Sequence, residues 1–385
     1  MLQPCGPAAG GRVRIVIFTH SLISDWNHGN AHFLRGIASE LIARGHDLRI
    51  FEPRDGWSLR NLLDDYGPAA IDEFHAAFPH LQSEFYTPES LDLDNADLIL
   101  VHEWNAPDLV ARIGRYRAHY DDCCVLFHDT HHRTVTDPSS MAAYDLRHYD
   151  GVLAYGGAIR DIYLQNRWAP RAWTWHEAAD TRVFYQHAGD YEGDLVWIGN
   201  WGDGEREREL REFLIEPVKA LGLRARVYGV RYPTHALEML ADAGIEYGGW
   251  LPNYRVPEVF AQFRVTVHVP RGPYASQLPG IPTIRPFEAM ACGIPLISAP
   301  WNDCEGLFRT GEDYLTARDG DEMRRCLQMV LEDEALARRL SEHGLETICR
   351  RHTCGHRVDE LMRTCAMLAD SKAPSGRTVG VTGAS

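Results

Sequence analysis

The chain has 385 residues, 45% of them hydrophobic, and a formal net charge of −15. This length and composition predict two or three domains with large buried cores. The acidic balance, which no basic stripe offsets, argues against a general nucleic-acid binder. No run of about 18 apolar residues occurs, so the sequence predicts no membrane-spanning helix. Nine cysteines without framework spacing favour reduced thiols and a cytoplasmic location.

The first half of the chain alternates short apolar runs with helical patterns, which is typical of parallel α/β sheets. Residues 1–11 are rich in Gly, Pro and Ala and lack an apolar stretch of signal-peptide length, so we expect a flexible segment there. Helices are expected at Asn30–Arg44 and Pro107–His119. The strands expected in this half are Val13–Phe18, Asp47–Glu52, Asp97–His102, Cys123–His128 and Gly151–Tyr155.

The second half restarts the same alternation, and its expected strands are Asp194–Gly199, Arg224–Gly229, Ile245–Gly248, Val265–Val269 and Ile294–Ser298. The pattern predicts two Rossmann-like domains, at residues 12–172 and 190–352, joined by a linker at 173–189. A C-terminal helix at 353–369 and a polar, disordered tail at 370–385 complete the prediction. Ligands should bind outside the carboxyl ends of both sheets, and therefore between the two domains.

Polar residues follow the expected strands of the first half. After the first strand, His28, Gly29 and Asn30 form a loop that enters a helix. Gly29 allows close backbone approach and Asn30 is a good N-cap residue. The loop therefore either contacts a ligand or is an ordinary capped loop. His102 follows the third strand and belongs to the same edge of the sheet.

The segment His128–Arg133 is the densest group of titratable residues in the chain. A histidine here could act as a general base or orient an acceptor substrate, because its pKa lies near working pH. Our candidate catalytic residues are His131, then His128, with Asp129 beside them. Metal binding is an alternative, but no matching Cys/His spacing occurs elsewhere. Simple capping of the strand is a third interpretation.

Two further groups of charged residues are interpreted as surface features. Asp92 and Asp94 precede a strand in an acidic turn, which favours a turn over a metal-binding pair. Arg206 and Arg208 lie on a strongly charged helix, which favours a solvated face.

The first strand of the second half is followed by a Gly-rich loop that contains Asn200 and can admit a phosphate, although a Gly cluster alone is weak evidence. Arg231 and Arg271 each lie just beyond a strand end. We therefore consider these two arginines better candidates for contact with an anion than the charged helix after the loop.

The segment Leu278–Ser298 carries the most specific signal. It predicts a loop, a short helix with Pro286 in its first turn, a stop at Gly293 and a buried strand. Free N–H groups at such a helix start bind anions, and Arg285 suits a diphosphate. Glu288, one turn further, could accept two hydrogen bonds from a ribose diol. A nucleotide site is one interpretation, and a surface helix whose Glu288 complements the dipole is the other.

The run Arg285–Ile297, with the sequence RPFEAMACGIPLI, resembles the donor-site segment of GT-B glycosyltransferases. More narrowly, it is similar to the CgeB-like (spore maturation protein) glycosyltransferases. The likeness continues through Leu307–Tyr314, Glu342–Gly344 and Arg351–Arg357, and so spans residues 190–365. The segment Trp173–Gln186 resembles the linker between the domains of GT-B enzymes.

The resemblance implies a GT-B architecture and an enzyme that moves a sugar from a nucleotide diphosphate sugar to an acceptor. UDP is the expected nucleotide, and the acceptor is a sugar, lipid, small molecule or protein that the sequence does not identify. By the same resemblance, the first loop approaches donor phosphate and acceptor, and the backbone of Thr283 and Ile284 brackets phosphate and sugar. Trp250 would meet the nucleobase, as a stacking wall or as core. GT-B enzymes generally hold the diphosphate without metal, so we expect neither a metal nor a further cofactor.

One departure from the family pattern leaves the stereochemistry open. Many retaining GT-B enzymes carry two glutamates separated by seven residues, and here the second is Glu288 whereas the first position holds Ile281. Both a retaining and an inverting transfer therefore remain possible. Two other functions fit the same fold, namely a nucleotide-sugar epimerase and a non-catalytic subunit that binds nucleotide sugar or glycan.

Overall fold

The computed structural model describes residues 11–372 apart from 88–90, 92, 94, 121 and 203. The predictions for residues 1–10, for Asp92 and Asp94 and for residues 373–385 therefore lie outside the described residues.

The first half of the chain forms a sheet of seven parallel strands in the order β3-β2-β1-β4-β5-β6-β7. The strands are β1 (Arg14–Phe18), β2 (Asp47–Pro53), β3 (Glu84–Tyr86), β4 (Leu98–His102), β5 (Cys124–Asp129), β6 (Gly151–Ala154) and β7 (Ala172–Thr174). The helices are α1 (Ala31–Ala43), α2 (Trp57–Tyr66), α3 (Ala69–Ala77), α4 (Pro107–His119), α5 (Arg133–Thr136), α6 (Pro138–Ala142) and α7 (Gly157–Gln165). Every residue of β4, β5 and β6 is buried, because helices cover both faces of a parallel sheet.

The second half forms a sheet of six parallel strands in the order β10-β9-β8-β11-β12-β13. The strands are β8 (Gly193–Ile198), β9 (Ala225–Tyr228), β10 (Ile245–Tyr247), β11 (Phe263–His268), β12 (Leu296–Ser298) and β13 (Leu315–Thr316). The first helices are α8 (Glu207–Leu210), a π-helical turn (Arg211–Ile215), α9 (Glu216–Leu221), α10 (Thr234–Asp242) and a 3₁₀ turn (Asn253–Arg255). They are followed by α11 (Val256–Phe260), α12 (Gly272–Ser276), α13 (Ile284–Ala291), α14 (Gly320–Glu332), α15 (Glu334–Arg351) and α16 (Cys354–Lys372).

All of the strands expected from the sequence are present, with ends that differ by one or two residues, and the two named helices appear as α1 and α4. The described residues also contain β3, β7 and β13, which the sequence did not predict. These strands are two or three residues long and lie at sheet edges, where an apolar run is too short to show a period.

The C-terminal helix α16 returns to the first sheet. It packs against α1, and its residues Val358 and Leu361 are buried in the core that contains Ile15 of β1. The helix continues through Asp370 to Lys372, so the predicted start of the disordered tail at Asp370 is wrong for these three residues. The predicted domain boundaries remain a prediction, although β7 lies partly within the expected linker.

The chain is folded without covalent cross-links or membrane spans in its described part. The cysteines there form no disulfide, and Cys123 and Cys124 are buried in the cores. No helix among residues 11–372 that the structure describes is both long and apolar enough to cross a bilayer.

Candidate active site in the cleft between the sheets

A cleft of about 370 Å³ lies between the carboxyl ends of the two sheets. Loops after β1, β4, β5 and β6 form one wall, and loops after β8, β9 and β11 together with the start of α13 form the other. The volume falls within the range of small-molecule sites, about 300–1,000 Å³. The residues predicted from the sequence that line this cleft are His28, Gly29, Asn30, His131, Asn200, Arg231, Arg271, Thr283, Ile284 and Arg285.

Arg206 is the most buried cation of the second-sheet wall, with 9% of its surface exposed. Its Nη1 donates a 3.0 Å hydrogen bond to the oxygen of Val269, and its Nη2 donates to the oxygen of Asn200. Its Nε has no partner among the described residues. Burial, together with the positive charges of Arg271 and Arg285, lowers the pKa of Arg206 to about 9. The wall therefore holds a buried guanidinium with an unused N–H.

The prediction that Arg206 lies on a solvated face is wrong, whereas Arg208 is exposed as expected. The loop after β8 contains Gly202 and Gly204, both with positive φ, at 85° and 80°. A conformation that glycine adopts without strain lets the chain bend here, so the helix begins with Arg206 directed into the cleft. Gly202 and Gly204 are visible in the sequence as a sign of a tight turn. The sequence does not give the direction of that turn, so it does not show which arginine faces the cleft.

The two arginines beyond the strand ends both reach the cleft. Arg271 follows β11, and its Nη1 lies 3.7 Å from Oε2 of Glu205. Arg231 follows β9 with a φ of 62° and is exposed at the edge of the cleft. Asn200 connects the two walls, because its Nδ2 donates to Oδ1 of Asn27 in the first loop.

The start of α13 forms the floor of the same wall. Thr283 precedes the helix with φ 61° and ψ −177°, a conformation that is strained for a residue with a Cβ. Its side chain makes no capping hydrogen bond. The first N–H groups of a helix lack intrahelical partners, so those of Ile284 and Arg285 are available to an anion, whereas Pro286 has none.

Glu288 does not line the cleft and is 0% exposed. Its Oε1 accepts hydrogen bonds from His32 Nδ1 at 2.8 Å and from Asn253 Nδ2 at 2.7 Å, and its Oε2 accepts from Arg285. Burial alone would raise the pKa of Glu288, but Arg285, His32 and Asn253 hold that pKa below its ordinary value. The predicted ribose contact remains a prediction, and it would require a hydroxyl to replace or join these partners.

His32 joins α13 to the first sheet and to the linker. The backbone N–H of Asp180 donates to its Nε2 at 2.8 Å, so the proton of the neutral ring resides on Nδ1 and is donated to Glu288. The ring stacks on Phe184 with centroids 3.9 Å apart.

The first loop lies against α13. A Cβ added at Gly29 would be 3.8 Å from Cγ2 of Ile284. Asn30 precedes α1, but the expectation that its side chain caps the helix is wrong. Its Nδ2 instead donates a 2.8 Å hydrogen bond to Oε1 of Glu177 in the linker.

Of the three predicted catalytic residues, only His131 lines the cleft. Its ring packs on those of Trp104 and His132, with centroids 5.0 and 3.9 Å away. His128 and Asp129 are buried behind the wall because they end the central strand β5. Asp129 accepts hydrogen bonds from the backbone N–H of His131 and from the hydroxyl of Tyr163, so it positions the loop.

His102 also lies behind the wall, contrary to the sequence-based expectation, and its Nε2 is 3.2 Å from Oγ1 of Thr130. Burial lowers the pKa of the imidazoles that do line the cleft, to about 4 for His20 and His132 and to about 2 for His131. The pKa of His28 is lowered well below its ordinary value for the same reason. The first-sheet wall is therefore uncharged at neutral pH.

A smaller pocket of about 70 Å³ adjoins the cleft and is lined by Trp250, Tyr228 and Gly229. The indole N–H of Trp250 donates to Oδ1 of Asp25 at 3.0 Å, and its ring lies 4.7 Å from that of Tyr66. Trp250 thus forms a wall of this pocket and also packs against the first-sheet core.

Glu177 is a cleft residue that the sequence did not single out. It lies in the segment Trp173–Gln186, which resembles the linker of GT-B enzymes. That resemblance assigned no function to Glu177. Among the described residues, no group of three or more His, Cys, Asp or Glu side chains is arranged to hold a metal ion.

A family model described as "Glycosyl transferase-like" matches residues 206–363, which is less than half of the chain but includes the arginines of the second-sheet wall. No curated protein matches the sequence.

Solved structures match almost the whole chain. Sucrose-phosphate synthase from Thermosynechococcus elongatus is 14% identical with a TM-score of 0.63, covering 94% of this chain and 100% of that one. HepE from Anabaena in complex with UDP-glucose is 13% identical with a TM-score of 0.65, covering 92% and 100%. T4 phage β-glucosyltransferase with UDP-glucose is 11% identical with a TM-score of 0.55, covering 93% and 98%. The chain has the GT-B fold. This confirms the predicted fold class, two parallel α/β sheets that face a cleft.

Proposed function

We propose that this chain is a metal-independent glycosyltransferase, which moves a sugar from a nucleotide diphosphate sugar to an acceptor. The observation that carries the proposal is the group of Arg206, Arg271 and Arg285 on one wall of the cleft. Burial lowers the pKa of Arg206 most, and repulsion from Arg271 and Arg285 adds to this effect, although the protein as a whole carries a net charge of −15. Such a group favours binding of a multiply charged anion. A diphosphate fits because its oxygens can accept paired hydrogen bonds from each guanidinium.

The start of α13 supports the same ligand. The N–H groups of Ile284 and Arg285, together with the dipole of the helix, favour a phosphate oxygen in front of Thr283. The arginines would stabilise the charge that develops on the departing nucleoside diphosphate, and electrostatic stabilisation of this kind usually contributes more to catalysis than any other single effect.

The nucleoside would occupy the adjoining pocket beside Trp250 and Gly229. Glu288 lies behind this region and fixes Arg285 by a hydrogen bond, so it contributes to the site at least by orienting that guanidinium. A direct bond from Glu288 to the ribose would add to that role, and calorimetry on a Glu288→Gln variant would detect it.

The acceptor would lie on the first-sheet wall, against the first loop and His131. The comparisons support the reaction class, because HepE and the T4 phage enzyme were solved with UDP-glucose. The narrower resemblance to CgeB-like enzymes, a cytoplasmic location and the preference for UDP remain parts of the proposal.

A panel of nucleotide sugars tests the proposal. Incubation with UDP-, GDP-, dTDP- and ADP-sugars, followed by mass spectrometry, should show release of one nucleoside diphosphate, and EDTA should leave that rate unchanged. The chelator matters because one matching T4 phage structure contains UDP with Mn²⁺. Turnover that stops with EDTA and returns with Mn²⁺ would reject metal independence. An epimerised but intact donor, or a donor that binds and stays intact, would reject sugar transfer.

A further inference from the structure

Glu177 follows β7 in the linker and lines the cleft, with only 5% of its surface exposed. Asn30 Nδ2 donates a 2.8 Å hydrogen bond to its Oε1. No group of the described residues donates to or accepts from its Oε2. Leaving a buried polar atom without a partner costs free energy. The carboxyl group is thus held by one oxygen, and the other oxygen is positioned for a ligand.

The charged and titratable groups around Glu177 come from three elements. Arg285 and Glu288 face it from α13, Tyr155 faces it from the end of β6, and Tyr274 faces it from α12. None of the ion pairs among the described residues includes the Glu177 carboxyl group, so no cation neutralises it by direct contact.

The linker itself adds one backbone contact and one neighbouring pair. Nε of Arg357 in α16 lies 3.3 Å from the backbone oxygen of Glu177 and donates to it. The adjacent His176 lies 3.0 Å from Oε2 of Glu305 and is therefore engaged elsewhere. Neither contact uses the Glu177 carboxyl group.

The pKa of Glu177 is raised to about 8, mainly by burial and also by the charge of Glu288. The hydrogen bond from Asn30 and the charge of Arg285 oppose this increase. A group whose pKa lies near the working pH can accept a proton and return it in each turnover. The other polar side chains of the cleft are less suited. Glu205 lies within 3.7 Å of Arg271, and the low pKa of His131 prevents that ring from holding a proton at neutral pH.

We propose that Glu177 is the catalytic base of the proposed sugar transfer, and that its Oε2 receives the proton of the acceptor hydroxyl. The inference rests on the proposed function. The acceptor oxygen forms a bond to the anomeric carbon, and the bond from that carbon to the diphosphate oxygen breaks with its electron pair left on the diphosphate. The acceptor proton moves to Glu177 and then to solvent. A base on the acceptor side favours direct displacement, so the product has inverted configuration.

The test uses the donor that the wild-type protein turns over fastest in a panel of UDP-glucose, GDP-mannose, dTDP-glucose and ADP-glucose, with water as acceptor. Glu177→Gln keeps the size of the side chain and the oxygen that Asn30 binds. We expect turnover to fall about 100-fold or more, while the Kd of the nucleoside diphosphate changes less than about twofold. Glu305→Gln is the matched control, since Glu305 does not line the cleft but its carboxylate contacts His176, the linker residue next to Glu177, and it should retain turnover.

Two measurements on the wild-type protein are independent of any variant. Because the base must be ionised, kcat/KM should rise with pH, reach half of its plateau near pH 8 and level off above it. NMR of the released sugar should show the inverted anomer first. Both would still decide the question if Glu177→Gln failed to fold.

Wild-type turnover in Glu177→Gln, an equal loss in Glu305→Gln, a flat pH profile or a retained anomer would each overturn the role of Glu177. In all four cases the wild-type protein transfers sugar, so the proposed function stands. Absence of turnover with every donor by a folded wild-type protein would instead reject both.

Discussion

The two walls of the cleft differ in charge although burial acts on both. On the second-sheet wall, Arg206 keeps its proton at neutral pH, because burial lowers its pKa only to about 9. On the first-sheet wall, the same effect lowers the pKa of His20 to about 4 and that of His131 to about 2, so both rings are neutral. Burial therefore leaves one wall cationic and makes the other uncharged.

This difference orients the reactants. A diphosphate gains charge-assisted hydrogen bonds only at the arginines, whereas a neutral imidazole offers one donor and one acceptor to a hydroxyl group. A buried charge without a partner is costly, so the cationic wall favours the anionic substrate and the uncharged wall favours a neutral one. Replacing side chains on each wall separately tests this division.

The largest effect is expected on the cationic wall, from Arg206→Met. Loss of hydrogen bonds to a charged ligand should weaken binding of the preferred nucleoside diphosphate by about 2–3 kcal/mol, roughly 30- to 150-fold. Calorimetry should show no comparable loss for the nucleoside without phosphates. Arg208→Met is the control, because that side chain is exposed two residues further on. Equal losses in both variants, or for both ligands, would place Arg206 outside the diphosphate site.

Glu288→Gln should lower the stability of the ligand-free protein by about 1–3 kcal/mol, the cost of leaving a buried, charged hydrogen-bond partner unsatisfied. Arg285 loses its anionic partner, while His32 and Asn253 can still donate to the remaining oxygen. Thermal unfolding measures this loss. Calorimetry with nucleosides and nucleoside diphosphates then decides the ribose contact: weaker binding of both classes supports the contact, and weaker binding of diphosphates alone indicates a role through Arg285.

The sequence predicted the fold well because its information is local. Each central strand is a run of apolar residues, such as Ile15–Phe18, and such runs identify buried parallel strands without knowledge of the partner strand. The edge strand β13 has only two residues and depends on pairing with β12, which no local pattern shows.

The site was less predictable because it depends on contacts between distant parts of the chain. Arg285 was identified since the loop-to-helix signal lies within a few residues. Glu177 and Glu288 are set by Asn30 and His32, which lie 147 and 256 residues away in the chain. The direction of the Arg206 side chain depends on a glycine turn. Residue type and spacing do not reveal such contacts.

Because the histidines of the first-sheet wall are neutral in the folded protein, the free energy of unfolding should decrease in acid. Between the ordinary pKa of 6.5 and the lowered pKa of about 4, the unfolded chain binds a proton that folded His20 does not. Stability therefore falls as pH decreases through this window. Between pH 7.5 and pH 5.5, His20→Gln should lose about 1 kcal/mol less stability than the wild-type protein. His148→Gln, at an exposed position outside the cleft, should follow the wild-type curve. Identical curves for all three proteins would mean that folding does not lower the pKa of His20.

The smallest effect is expected for His131→Ala. A neutral imidazole contributes one ordinary hydrogen bond to an acceptor hydroxyl, about 0.5–1.5 kcal/mol, so kcat/KM for the acceptor should fall about two- to tenfold. Nucleotide affinity should remain unchanged, because His131 lies on the wall opposite Arg206. Steady-state kinetics with the acceptor varied, together with nucleotide calorimetry, separate the two quantities. A loss of 100-fold or more in kcat would instead assign the proton transfer to His131, and a loss of nucleotide affinity would place the diphosphate against the first-sheet wall.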